Sequence, residues 1–274
     1  MLRANFHTHT MLCDGDNTPE EMVEEALAEG FEQLGFSGHM DPDIHMDWPA
    51  YIERISGLKK RYADQLDIIL GVELDNLFDR TCCPGAEYVI GSTHFLNLPT
   101  DEPLSVDSSP EAIVKICNDY FGGDWLLLTK SYYEFEAQVY DRLNCDFIGH
   151  FDLVTRFNDE LHFVDETSPR YLEPALDAMD YLVSQDVMFE INCGAYNRGR
   201  KKELYPRPEL LQHLSDMGGR IIINSDAHQT KRLSAGFDQA IKAALSCGFT
   251  ETNVFCHADD GTLQLKQLAL AELL

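Results

Sequence analysis

Asn5-Phe6-His7-Thr8-His9-Thr10, close to Met1, and Asn224-Ser225-Asp226-Ala227-His228, more than two hundred residues later, share one device. In each, two potential metal ligands stand two residues apart inside an apolar, β-prone segment. A strand repeats every two residues, so each pair projects from one face of its strand. Metal coordination needs several lone pairs aimed at one point, and stiff elements that present two at a time are suited to supply them. The two segments therefore predict strand ends that converge on a metal cluster.

Between them the chain alternates. Strand-like runs occupy 2–9, 33–39, 67–73, 88–95, 147–152, 187–192 and 220–224. Helical patterns separate most of them. Thr18-Pro19-Glu20-Glu21 reads as a capping box with proline at the first helical position, opening a helix to about Gly30. Further helices are predicted over 51–63, 110–120, 132–143, 169–184 and 208–217. Alternating strands and helices predict an α/β fold with a parallel sheet. Seven strands nearly close a barrel of the triosephosphate-isomerase (TIM) kind, for which about 250 residues is typical. After the last clear strand come a helix near 238–246, a short stretch at 253–257 and a C-terminal helix. Segments 75–85 and 97–109 read as long loops, the second of them acidic. Without repeats or a flexible linker, residues 1–274 are expected to form one domain.

The charge balance narrows the partners. With 21 basic and 47 acidic residues the net charge is −26, which repels nucleic-acid backbone and anionic membrane. Bound cations would invert the field locally, so a small anionic substrate stays compatible with this surface. The eight cysteines include no C-x-x-C pair, and the first strand begins too early for a signal peptide. Free thiols in a reducing cytoplasm are expected, with a zinc–thiolate site as the alternative. Oligomeric state is not readable.

In barrels of this kind the active site lies at the C-terminal ends of the strands. Candidate ligands fall there in succession: His7 and His9, then Asp14 in the following loop, His39, Glu73, His94, His150, and finally Asp226 and His228. Any one of them alone would read as an ordinary strand-end residue; the ordering carries the inference. His45, His162, His213 and His257 are expected in loops or helices, as ordinary surface residues.

These segments resemble the polymerase-and-histidinol-phosphatase superfamily, with its His-x-His opening, Gly-x-Glu, later single histidines and closing Asp-x-His. The phrases Phe36-Ser37-Gly38-His39, Gly91-Ser92-Thr93-His94-Phe95, Gly149-His150-Phe151-Asp152-Leu153 and Asn224-Ser225-Asp226-Ala227-His228 are most similar to its histidinol-phosphate phosphatase branch. The resemblance covers nearly the whole chain. It implies a distorted seven-stranded (β/α)7 TIM-like barrel holding three divalent transition-metal ions, zinc, manganese or iron. One ion would take His7, His9 and Asp226, with Glu73 bridging to a second held by His94 and His150. The third would take Asp14, His39 and His228, with Asp16 the alternative to Asp14.

The implied reaction is hydrolysis of L-histidinol phosphate by a metal-bridging hydroxide, since coordination lowers the pKa of water. Another small phosphorylated substrate, such as a nucleotide, is the alternative. Arg156, six residues past His150, and Arg198, beyond the sixth strand, match arginines the branch uses on phosphate. Their bidentate forks suit phosphate oxygens. With Arg200, Lys201 and Lys202 close by, a surface position is the alternative for either arginine. Asp226 or His228 could relay a proton to the leaving alkoxide, and equally Asp41, Asp43 or His45 in the strand-two loop could supply it from above.

Overall fold

Each strand-like run becomes a strand in the computed structural model, which describes residues 1–274. In chain order the strands are β1 (Ala4–Asn5), β2 (Gln33–Phe36), β3 (His39–Met40), β4 (Asp67–Asp75), β5 (Tyr88–Ser92), β6 (Phe95–Leu96), β7 (Leu104–Ser105), β8 (Phe147–Ile148), β9 (Met188–Asn192), β10 (Ile221–Asn224), β11 (Glu251–His257) and β12 (Leu263–Ala269). The helices are α1 (Pro19–Ala28), α2 (Trp48–Tyr62), α3 (Pro110–Phe121), α4 (Trp125–Glu136), α5 (Val139–Leu143), α6 (Asn158–Leu161), α7 (Pro169–Ser184), α8 (Gly194–Asn197), α9 (Pro208–Asp216) and α10 (Phe237–Ser246).

The main sheet runs β1-β2-β4-β5-β8-β9-β10-β11-β12, with β3 also paired to β4. Every pairing from β1 to β11 is parallel, and only β11–β12 is antiparallel. The sheet curls until its first strand meets its seventh. Just past their ends, His9 N donates to Ala227 O at 2.9 Å and Ala227 N donates to His7 O at 3.1 Å. The two segments quoted at the outset are thus bonded to each other. The capping box of α1 forms as expected, Thr18 accepting from Glu21 N while Glu21 accepts from Thr18 N.

Beyond the seven expected strands the sheet takes in β3, β11 and β12. Two sequence expectations are corrected. The expected C-terminal helix is strand β12 followed by a single 3-10 turn, Leu270–Glu272. Leu263-Gln264-Leu265-Lys266 alternates with period two after an Asp260-Gly261 turn, a hairpin signal that outweighs helix propensity. The helix expected over 132–143 is two: α4 starts earlier because Asp124 caps it, accepting from Leu126 N and Leu127 N, and α5 follows.

The C-terminal hairpin covers the end of the curled sheet opposite the candidate donors. Phe255 packs on Phe6, Tyr88 and Phe147 at ring separations of 5.2, 5.3 and 6.3 Å. Beyond it His257 N donates to Asp67 Oδ2, 2.8 Å away at the start of β4. Tyr88 crosses the interior to donate to Phe6 O, which Gly71 permits, since a Cβ there would lie 2.1 Å from the Tyr88 ring. No helix is long and apolar enough to cross a membrane.

Replacing Phe255 with alanine removes a buried ring from this cluster and should cost about 3–5 kcal/mol of stability. Urea unfolding measures the cost, and a loss well under 1 kcal/mol would place Phe255 outside the interior packing.

Candidate metal centre

The C-terminal strand ends deliver all nine predicted ligands to one place. His7 and His9 follow β1, His39 opens β3, Glu73 lies in β4, His94 follows β5, His150 follows β8, and Asp226 and His228 follow β10. Glu73 is central. Its Oε2 lies 3.0 Å from His7 Nε2, 3.2 Å from His39 Nδ1 and 3.4 Å from His9 Nε2. Its Oε1 lies 2.9 Å from His150 Nε2 and 3.2 Å from His94 Nε2. Asp226 Oδ1 stands 3.3 Å from His9 Nε2 and 3.8 Å from His7 Nε2. Asp14 Oδ2 stands 3.0 Å from His228 Nε2 and 3.7 Å from His39 Nε2.

These donors fit divalent ions. Two ligands on one tetrahedral ion at about 2.0–2.2 Å are roughly 3.3–3.5 Å apart. Four donor sets gather within 4.8 Å: His9-Asp14-His39-His228, His7-His9-Asp226, His7-Glu73-His150 and His39-Asp41-His94. His7 Nε2, His9 Nε2, His39 Nδ1 and Glu73 Oε2 are buried and make no hydrogen bond, although their neighbours are close. Their lone pairs aim at shared points rather than at one another. Asp14 belongs to a donor set, whereas Asp16 accepts from Gln229 Nε2 instead.

Behind the donors stands a layer the sequence reading did not identify. Glu190, in the middle of β9, lies 2.7 Å from His7 Nδ1 and accepts from His150 N at 3.0 Å. Asp75 Oδ2 lies 3.3 Å from His94 Nδ1. Such carboxylates fix the ring orientation of a ligating histidine. A carboxylate inside the apolar run Val187-Met188-Phe189-Glu190-Ile191 was the available signal, because a fully buried strand has no solvent face for it. Asp41, weighed above only as a proton donor, shares a donor set, and His39-Met40-Asp41 repeats the two-residue spacing of the other pairs. Two site residues hold left-handed backbone, His150 at φ 23° and Asp226 at φ 52°. Strain of this kind persists only where surrounding bonds over-determine it.

A cleft of about 440 Å³ opens above the donors, and Arg156, Arg198 and Arg200 line it with Asp43 and Asp107. Arg198 Nη2 donates to Asp226 Oδ2 at 3.0 Å. Only glycine fits at 194, because a Cβ would lie 2.3 Å from Asp226 Oδ2 and 2.8 Å from Arg198 Nη2. Arg156 Nη1 donates to Asp107 Oδ2 at 2.5 Å. Arg200 is exposed and also lines the cleft, whereas Lys201 is buried. Of the alternative proton donors, Asp41 and Asp43 line the cleft, while His45 is exposed and packs on Phe78.

The remaining histidines lie outside the donor sets. His162 is exposed and His213 pairs with Asp180 at 2.6 Å. His257 lies in β11 rather than in a loop or helix, held between Asp67 and Glu87 at 2.5 and 2.8 Å.

Protonation in the metal-free site follows from its charges. Burial alone would lower the pKa of His7, but Glu190, Glu73 and Asp226 outweigh it and raise it well above the usual value. His94 is raised in the same way, by Glu73 and Asp75 against its burial. Burial of His39 is likewise outweighed by Glu73, Asp41 and Asp14, which raise it to about 9. His9 is lowered, by burial and by His228 and His39. Despite burial, Glu73 is held well below the usual range by His39, His7 and His94, and Asp226 by Arg198 and His7.

A family model described as "PHP domain" matches residues 5–194. The chain is 29% identical to the "Probable histidinol-phosphatase" of Deinococcus radiodurans, over 89% of this chain and 94% of that one. It is 26% identical to the "Probable histidinol-phosphatase" of Schizosaccharomyces pombe, over 95% of this chain and 91% of that one. The crystal structure of the histidinol phosphate phosphatase of Lactococcus lactis, complexed with zinc, L-histidinol and phosphate, has a TM-score of 0.72 at 21% identity, covering 93% of this chain and 98% of that one. At that identity the likeness establishes a common fold.

An imidazole ligates only after losing its proton, so metal competes with the protons that the surrounding carboxylates favour on His7, His39 and His94. Metal uptake should release protons, and affinity should rise with pH through the titration of His39 near 9. Calorimetric zinc titration of metal-free protein, in buffers of different ionisation enthalpy, measures the release. A pH-independent affinity without proton release would contradict this account.

Proposed function

We propose, from the premise that this chain belongs to the PHP domain family, that it is a metal-dependent phosphomonoesterase hydrolysing L-histidinol phosphate to L-histidinol and phosphate. The observation that carries the reading is the pair Arg156 and Arg198, facing the same cleft as a cluster of unpartnered imidazole and carboxylate donors. Full-length relatives bearing the histidinol-phosphatase name support the substrate.

His7, His9 and Asp226 would hold one divalent ion, with Glu73 between it and a second held by His94 and His150. Asp14, His39 and His228 would hold a third, and His9 stands close enough to share in it. Zinc, manganese and iron all suit imidazole and carboxylate donors without thiolate. Bound there, the ions would supply a nucleophilic water of lowered pKa and positive charge for the phosphate oxygens. The chain's own groups do the rest. Arg156 and Arg198 grip the remaining phosphate oxygens, their forks turning from Asp107 and Asp226 towards the substrate. Asp226 and His228, 3.4 Å apart at the cleft, are the groups assigned to relay a proton, and Arg198 and His7 keep Asp226 ionised. Asp43 lines the same cleft and is raised from its ordinary value by partial desolvation and by Asp41 and Asp107, which makes it a candidate to protonate the leaving alkoxide.

In this reading residues 1–274 act as one domain, the strands from β1 to β10 forming the TIM-like barrel. The eight free thiols suit a cytoplasmic enzyme. The acidic surface disfavours nucleic-acid polymers and anionic membranes as partners.

Phosphate release from a panel of phosphomonoesters, assayed with zinc, manganese or iron, tests the assignment. L-histidinol phosphate should be the best substrate, and a nucleoside monophosphate turned over more efficiently would move the assignment to nucleotides. Arg156→Ala and Arg198→Ala should each lower kcat/KM by about a hundredfold, from loss of a charge-assisted pair, with metal content unchanged. Lysine should restore only part of it. Arg170→Ala, on α7 away from the cleft, should leave activity at the wild-type level.

A further inference from the structure

We infer that Lys201 is a positioning residue for Arg156, tying together the two segments that bring arginines to the cleft. The inference rests on the phosphate-binding role proposed for Arg156. Lys201 lies three residues past Arg198, between α8 and α9, and is 5% exposed. Its ammonium donates to Thr155 Oγ1 at 2.7 Å and to Thr155 O at 3.3 Å. Thr155 directly precedes Arg156 and ends the 3-10 turn Leu153–Thr155. Glu166 stands behind the ammonium at 3.4 Å and is held in turn by Arg207 at 3.2 Å and Asn158 at 2.6 Å.

A buried ammonium is costly unless it is paired and hydrogen-bonded, so its place in a fold needs a reason. Lys201 is not part of the cleft wall, which removes substrate contact as that reason. Asp152 and Glu166 lie close enough to act on one another and on Lys201, so charge balance accounts for a cation in this position. It does not account for the short bond to Thr155 Oγ1, which ends on the turn that aims Arg156. Leu153 and Val154 anchor the start of that turn in the core, and Arg207 N donates to Asp152 Oδ2 at 3.2 Å just before it. Within the turn Thr155 N donates to Asp152 O at 3.1 Å and Arg156 N to Leu153 O at 2.8 Å. Lys201 ties the far end of the turn, Thr155 beside Arg156, to the neighbouring segment. Holding the arginine's backbone in advance lowers the ordering cost of gripping phosphate.

The test uses metal-loaded full-length protein and reads two quantities, affinity for inorganic phosphate by calorimetry and the steady-state constants for L-histidinol phosphate. Lys201→Met should weaken phosphate binding and raise KM by about tenfold, with a smaller change in kcat and no loss of metal. Thr155→Val should act in the same direction, and Thr155→Ser, which keeps the hydroxyl, should stay close to wild type. In an Arg156→Ala background, Lys201→Met should add less than about twofold, because the two residues act through one path. An equal effect of Lys201→Met with and without Arg156 overturns the inference, as does a Thr155→Val protein indistinguishable from Thr155→Ser. Should Lys201→Met fail to fold, the two threonine variants in both backgrounds decide the matter. A wild-type protein that binds phosphate but cleaves no phosphomonoester defeats the hydrolase reading alone, since the phosphate affinities still decide the role of Lys201. One that binds no phosphate defeats both.

Discussion

Glu73 is an ionised carboxylate with almost no exposure, set among the rings of five histidines. A buried charge persists only where opposite charge or donors surround it closely. His7, His9, His39, His94 and His150 come from four different strand ends besides β4, so Glu73 can be satisfied only if those ends converge. Parallel strands do this because all of their C-terminal ends face one way. The bonds between the His7–His9 backbone and Ala227 complete the arrangement by drawing Asp226 and His228 to the same point. Left-handed backbone at His150 and Asp226 is the local cost, held in place by Glu190 on one and by Arg198 on the other.

The fold and the ligands were readable to different depths. Alternating strand and helix patterns located the strands up to β10, and two-residue spacing marked His7-His9 and Asp226-His228 as pairs. What was missed has a common cause: its meaning depends on what stands opposite in space. Glu190 reads as one polar residue in a strand until His7 is seen 2.7 Å away. Lys201 sits in a run of basic residues that looks solvated, and only the packing of Thr155 and Glu166 around it shows otherwise. The C-terminal hairpin was misread although its period-two pattern was present, because leucine, glutamine and lysine also favour helices.

The second layer of carboxylates changes how the centre is understood. Asp75 and Glu190 orient histidines, while Asp107 and Asp226 hold arginines. Arg156 and Arg198 are therefore already paired before any ligand arrives. That pairing fixes the fork in place, which limits the entropy lost on gripping phosphate, but the carboxylate must then be left behind or satisfied by other means. Asp226 has such means, being close to three histidines and within a donor set. Asp107 has fewer, which makes Arg156 the arginine whose position depends more on its backbone, and gives a fixed turn at Thr155 its value.

The overall charge adds a further constraint. A protein with net charge −26 repels a phosphate dianion before contact, and the repulsion weakens with salt. Three arginines in the cleft lining, with cations bound among the donors, would reverse the field only within the cleft. Asp41 and Asp43 line the same cleft. A substrate that carries an amine as well as a phosphate suits such a mixed lining, since its phosphate can meet arginines while its ammonium meets a carboxylate. A purely anionic phosphomonoester would gain only the first of these. The mixed lining thus favours the proposed substrate over simpler phosphate esters on electrostatic grounds that do not depend on which metal is bound.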